Sequence, residues 1–119
     1  MSTILVVDDS PTALKLLTKL LATTGHHIMT ASDGEEALQK VTAEYPDLMV
    51  LDVIMPHKNG YQVCRQLKND PKTHDIKIIL LTSQDQQADR FWGMKHGADA
   101  YLSKPFQETE LLAMVAKFV

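Results

Sequence analysis

Ile4-Leu5-Val6-Val7 runs without a polar break into Asp8-Asp9-Ser10-Pro11, and this stretch decides the fold. A short continuous apolar run, β-branched in part, reads as a strand buried on both faces. It stops abruptly at two acids. Ser10 then reads as an N-cap with Pro11 at the first helical position. Behind it Ala13, Leu14, Leu17, Leu20 and Leu21 recur at helical spacing until Gly25 stops the helix.

The same alternation repeats along the chain. His27 to Ala31 is a weaker strand, followed by Asp33-Gly34-Glu35-Glu36, where Asp33 and Glu36 are spaced as a capping box. Ala37, Leu38 and Val41 give that helix its apolar stripe, and Tyr45-Pro46 ends it. Leu48-Met49-Val50-Leu51 is a second buried run that stops at an acid, Asp52. After Met55-Pro56-His57-Lys58-Asn59-Gly60 comes a helix carrying Tyr61, Val63, Cys64 and Leu67. Asn69-Asp70-Pro71 marks a surface turn. Ile76 to Leu81 is the strongest strand and ends at Thr82-Ser83. Ser83 and Gln86 are placed to cap a helix through Ala88, Phe91, Trp92 and Met94 to Gly97. Ala100-Tyr101-Leu102 reads as a last short strand ending at Ser103-Lys104-Pro105, and Leu111, Leu112, Val115 and Phe118 form the stripe of a terminal helix. About five strand–helix units at ~20–25 residues each predict a parallel α/β sheet with helices on both faces.

Composition sets the bounds. The 119 residues carry twelve Lys+Arg against fifteen Asp+Glu, a formal net charge of −3, with 45% hydrophobic and 23% charged residues. That fits one globular domain. The single cysteine, Cys64, gives no disulfide framework and no cysteine zinc site, and reads as a small buried hydrophobe. Apolar runs fall far short of the ~20 residues that cross a bilayer, and the N-terminus lacks the pattern of a signal peptide. A mildly acidic chain without a basic block argues against nucleic-acid binding. The expected location is the cytoplasm. The five histidines, His26, His27, His57, His74 and His96, read as solvated side chains.

In such sheets the chemistry lies beyond the carboxyl ends of the strands. The residues that end the apolar runs are Asp8 and Asp9, Asp52, Thr82 and Ser83, and Lys104. Parallel strands bring them to one edge. Carboxylates held together repel and raise one another's pKa unless a cation intervenes. With only oxygen ligands at hand, Mg2+ is favoured over zinc or copper. A lysine and a hydroxyl nearby would suit a phosphoryl group bridging to that metal.

Asp8-Asp9 after the first strand, Asp52 followed by Met55-Pro56 and Gly60, Thr82, and Lys104-Pro105 resemble a response-regulator receiver domain over essentially the whole chain. The resemblance implies a doubly wound, flavodoxin-like five-stranded sheet in the order 2-1-3-4-5. It implies that Asp52 accepts a phosphoryl group from a phosphohistidine on a sensor histidine kinase or phosphotransfer protein. Asp8, Asp9, Asp52 and the backbone carbonyl of Ile54 would hold Mg2+. Thr82 and Lys104 would contact the phosphoryl oxygens, with a cis Lys104–Pro105 bond aiming the lysine inward. Thr82 and Tyr101 would form the switch, read by a partner at the face of the fourth helix, fifth strand and fifth helix. Residues 1–119 are then all receiver, without an output domain, in a monomer or weak dimer. The domain would be a phosphoacceptor signalling protein, catalysing only its own phosphorylation and dephosphorylation. Trp92-Gly93 near Gly97-Ala98 is similar to single-domain regulators of chemotaxis and twitching motility, which implies control of motility or taxis.

Receivers often carry water-orienting groups two residues after the acceptor and two after the hydroxyl residue that ends the fourth strand. Ile54 and Gln84 stand there, and Ile54 has no polar side chain, which predicts slow self-dephosphorylation. Two alternatives keep the receiver fold: a phosphate sink or shuttle, and a pseudo-receiver that binds without phosphorylation. A haloacid-dehalogenase-type phosphatase would need a second acid where Ile54 stands, and a P-loop protein would need a glycine-rich lysine motif that is absent.

Overall fold

Three runs of the chain, Ile4 to Val7, Leu48 to Leu51 and Ile78 to Leu81, are wholly buried, and they build the centre of one parallel sheet. The structure, a computed structural model, describes residues 1–55, 58–83 and 97–119. Its elements are β1 (Thr3–Val7), α1 (Pro11–Ala22), β2 (His27–Ala31), α2 (Gly34–Ala43), β3 (Leu48–Asp52), α3 (Gly60–Lys68), β4 (Lys77–Ser83), β5 (Ala100–Lys104) and α4 (Glu108–Ala116). Here α4 is the terminal helix, the fifth of those predicted. The predicted helix through Ala88, Phe91, Trp92 and Met94, with Gln84, lies outside the described residues, as do Pro56, His57 and His96.

The sheet order is β2-β1-β3-β4-β5, the doubly wound, flavodoxin-like order expected. Alternate residues of each strand feed separate cores. Leu5, Val7, Met49, Leu51, Ile78 and Leu80 face Ala37 and Val41 of α2 and Val63, Cys64 and Leu67 of α3. Ile4, Val6, Leu48, Val50, Ile79 and Leu81 face Leu17 and Leu21 of α1 and Leu111 and Val115 of α4. Cys64 is the buried hydrophobe expected, its thiol pushed up to about 11 by burial. Among the described residues, no helix is long and apolar enough to cross a membrane.

The helix starts follow local chemistry. Ser10 Oγ accepts from Ala13 N–H at 3.2 Å, with Pro11 opening α1. Asp33 caps α2 by accepting from Glu36 N–H at 2.8 Å. The Glu36 carboxylate does not close the expected capping box. It accepts from Ser32, one residue earlier, through both the backbone N–H and the hydroxyl. Beyond the end of α1, Gly25 takes a φ of +81°, which lets the chain turn into β2.

Gly60 sets how closely α3 approaches β3. Its N–H donates to Val53 O at 2.9 Å, and a Cβ there would lie 2.5 Å from Asp52 O. Only a residue without a side chain lets α3 start this close to the end of β3. Gly60→Ala should therefore lose roughly 1–3 kcal/mol of stability, seen as a lower urea midpoint with an unchanged slope.

Candidate functional site

Register brings the strand ends together. Val7 pairs with Leu51, Asp52 with Leu81, Thr82 with Ser103, and Ser83 with Lys104. Asp8 leaves β1 level with the end of β3, and its N–H is held by Ala31 O at 3.2 Å. Val53 N–H donates to Leu81 O at 3.0 Å, fixing the backbone just after Asp52. Ser10 N–H donates to Asp8 Oδ1 at 2.9 Å, so the start of α1 also orients that carboxylate.

One carboxylate oxygen each from Asp8, Asp9 and Asp52 lies within 4.8 Å of the other two. Asp8 and Asp52 are buried, whereas Asp9 is exposed at the mouth. Lys104 Nζ sits 3.3 Å from Asp8 Oδ2 and 3.3 Å from Asp52 Oδ1. The Lys104–Pro105 bond is cis. Thr82, one residue past the partner of Asp52 on β4, is 1% exposed, and its Oγ1 has no hydrogen-bond partner among the described residues.

The electrostatics follow from crowding. Burial pushes the Asp52 carboxyl above its ordinary 3.8, and the Asp8 charge adds to this. Lys104 and the Ile54 N–H, which hydrogen-bonds to Asp52, pull the other way without cancelling it. Burial disfavours the Lys104 charge, but Asp52 and Asp8 together outweigh it and hold the ammonium above its ordinary 10.5. Two buried carboxylates thus share the Lys104 ammonium, with the Asp9 carboxylate beside them. That donor set, hard oxygens without thiol or imidazole, fits a Mg2+-type cation. The unmet Thr82 hydroxyl at the same edge is a donor that a bound oxyanion would satisfy.

The structure therefore joins Asp8, Asp9, Asp52 and Lys104 in one cluster, with Thr82 on the neighbouring strand end. The Ile54 side chain is 59% exposed, beside the site but reaching no polar role of its own. Tyr101 is half-buried and packs on the α2/α3 core. Some contacts carried no local signal. Lys58 Nζ meets Gln66 Oε1 at 3.0 Å and Glu35 Oε1 at 3.4 Å, tying the loop after β3 to α3 and to the start of α2. His27 and His74 are exposed, as expected, and face Glu44 and Asp75 at 3.1 and 3.2 Å, whereas His26 is half-buried and its Nδ1 accepts from Ser2 N–H at 2.9 Å. Their partners come from chain neighbours or from segments that only the fold brings near.

Because the folded Asp52 binds its proton more tightly than the unfolded chain does, its ionisation costs stability as pH rises above 3.8. Asp52→Asn should match the wild type in acid and surpass it progressively above that window, a crossover measurable by denaturation across pH.

Comparison with known proteins agrees with this geometry. Residues 4–116 match the response regulator receiver domain model. Protein PilH of Pseudomonas aeruginosa is 41% identical over 115 residues, covering 97% of this chain and 95% of PilH. Several transcriptional regulators also match, but the chain spans only 43–46% of their length. Among solved structures, the Vibrio cholerae chemotaxis protein CheY4 superposes with a TM-score of 0.92 at 28% identity, covering 100% of this chain and 99% of that one. The receiver domain of the sensor histidine kinase PA1611 from Pseudomonas aeruginosa, with magnesium coordinated in its active-site cleft, gives 0.89 at 26% identity, covering 98% and 96%. Strand order, the acidic cluster with its lysine, and this whole-length similarity converge: the chain belongs to the response regulator receiver domain family.

Proposed function

We propose that this receiver takes a phosphoryl group onto Asp52 from a phosphohistidine of a sensor histidine kinase or phosphotransfer protein. The observation that carries the reading is the Lys104 ammonium set 3.3 Å from both Asp8 and Asp52, with Asp9 in the same cluster. Phosphoryl transfer asks mainly for positioning and charge neutralisation. Asp8, Asp9, Asp52 and the Ile54 backbone carbonyl would hold Mg2+, which supplies positive charge where the phosphoryl oxygens gather. The magnesium named for the PA1611 receiver supports that choice. Asp52 offers the attacking oxygen, Lys104 pairs with one phosphoryl oxygen, and the Thr82 hydroxyl donates to another.

That donation is the signal. Thr82, whose hydroxyl has no partner among the described residues, gains a hydrogen bond, and the end of β4 shifts with it. Tyr101, on the adjacent strand, then changes its packing, altering the face of β5 and α4. A downstream protein reads this face. The match along nearly all of PilH supports reading residues 1–119 as one receiver domain. The likeness to a chemotaxis protein supports a role in taxis or motility.

Incubation with Mg2+ and a small acyl phosphate, followed by intact mass, tests the central claim. The expected outcome is one phosphoryl adduct, absent in Asp52→Asn; no adduct on the wild type would refute it. The exposed Ile54 offers no group to orient water beside the acceptor. Ile54→Asn should therefore shorten the phosphoryl half-life several-fold, read as decay of the same adduct after donor removal.

A further inference from the structure

Asn59 is followed by Gly60, and a glycine, having no side chain, leaves the backbone nitrogen after an asparagine least shielded. In that pairing the nitrogen can attack the side-chain amide and close a five-membered succinimide. The start of α3 opposes the attack from both sides. Gly60 is buried, and its N–H donates to Val53 O at 2.9 Å. Asn59 Oδ1 accepts from Gln62 N–H at 3.0 Å, while Asn59 N–H donates to Gln62 Oε1 at 2.9 Å. The Asn59 side chain is thus committed to capping the helix. Asn59 itself is exposed, and element ends open locally at a smaller cost than the whole fold.

We propose that Asn59 is a self-modification site, opened when the cap of α3 lets go, and that its isoaspartyl product disables phosphorylation at Asp52. The effect on phosphorylation rests on Asp52 being the phosphoacceptor. In the reaction the Gly60 nitrogen bonds to Asn59 Cγ, and the bond from Cγ to Nδ2 breaks. The Gly60 amide proton leaves with that nitrogen as ammonia. Water then opens the ring at either carbonyl. Opening at the side-chain carbonyl gives aspartate, which caps a helix as well as asparagine does and whose charge suits a helix start. Opening at the backbone carbonyl gives isoaspartate, and the main chain then runs through Cβ. That adds one carbon to the backbone just before Gly60, where even a Cβ would lie 2.5 Å from Asp52 O. Close packing leaves no room for it, so α3 must lift away from the end of β3. The two products of one reaction have opposite effects on the acceptor.

Ageing the whole chain in warm neutral buffer tests this. Peptide mapping follows the asparagine, aspartate and isoaspartate forms of position 59, and intact mass after Mg2+ and acetyl phosphate reads the phosphoryl adduct. Gln62→Ala removes one hydrogen bond of the cap and should speed the loss of Asn59 about fivefold. Glu110→Ala removes the matching bond at α4, from Gln107 N–H to Glu110 Oε1 at 2.9 Å, and should leave that rate unchanged. Adduct yield should fall in step with isoaspartate content, whereas fresh Asn59→Asp should be phosphorylated like the wild type. Equal acceleration by both variants would mean global unfolding and overturn the local site. An unchanged rate in Gln62→Ala, or no isoaspartate at Asn59, would overturn it too. An adduct yield independent of isoaspartate would overturn the link to Asp52. No adduct on the fresh wild type would refute Asp52 as acceptor instead, with the modification rates still deciding the site.

Discussion

One ammonium separates two buried carboxylates, and the arrangement of the sheet is what allows it. Lys104 reaches Asp8 across 96 residues of chain and Asp52 across 52, both at 3.3 Å. Without it, the two acids would stand buried side by side, and like charges so placed cannot all ionise freely. A buried ion pair is weak evidence for stability in itself, because desolvation opposes the Coulomb gain. The raised Asp52 pKa shows desolvation prevailing at that residue. The hydrophobic sheet beneath the cluster holds these groups together against that cost.

That sheet supplies the precision. β1, β3 and β4 are central strands with interiors wholly withdrawn from water, so a slip of one residue would exchange the two cores as well as misplace the strand-end acids. Gly60 adds a local constraint by letting α3 begin against the backbone of Asp52 and Val53. The position of the acceptor is fixed from below by packing and from the side by a helix start.

Much of this was legible in the chain because it depends on short-range pattern. Continuous apolar runs ending at Asp8, Asp52 and Thr82 gave the central strands and the residues at their ends. Ser10-Pro11 gave the start of α1, since an N-cap is written in adjacent residues. What could not be read was pairing at a distance. Glu35 and Lys58 lie on different elements, and nothing near either announces the other. The Glu36 carboxylate had two nearby donors to choose from, and spacing alone could not say that Ser32 would win over the N-cap backbone.

The two cores have a consequence for how such a domain can change over time. Tyr101 packs on the α2/α3 side of the sheet, while Leu102, the next residue, belongs to the α1/α4 side together with Leu17 and Leu81. The strand backbone is a wall between them. A substitution around Leu17 and Leu102 can be absorbed by its own core without repacking around Tyr101, and the converse also holds. Substitutions in the two cores can therefore accumulate separately, each absorbed on its own side of the sheet.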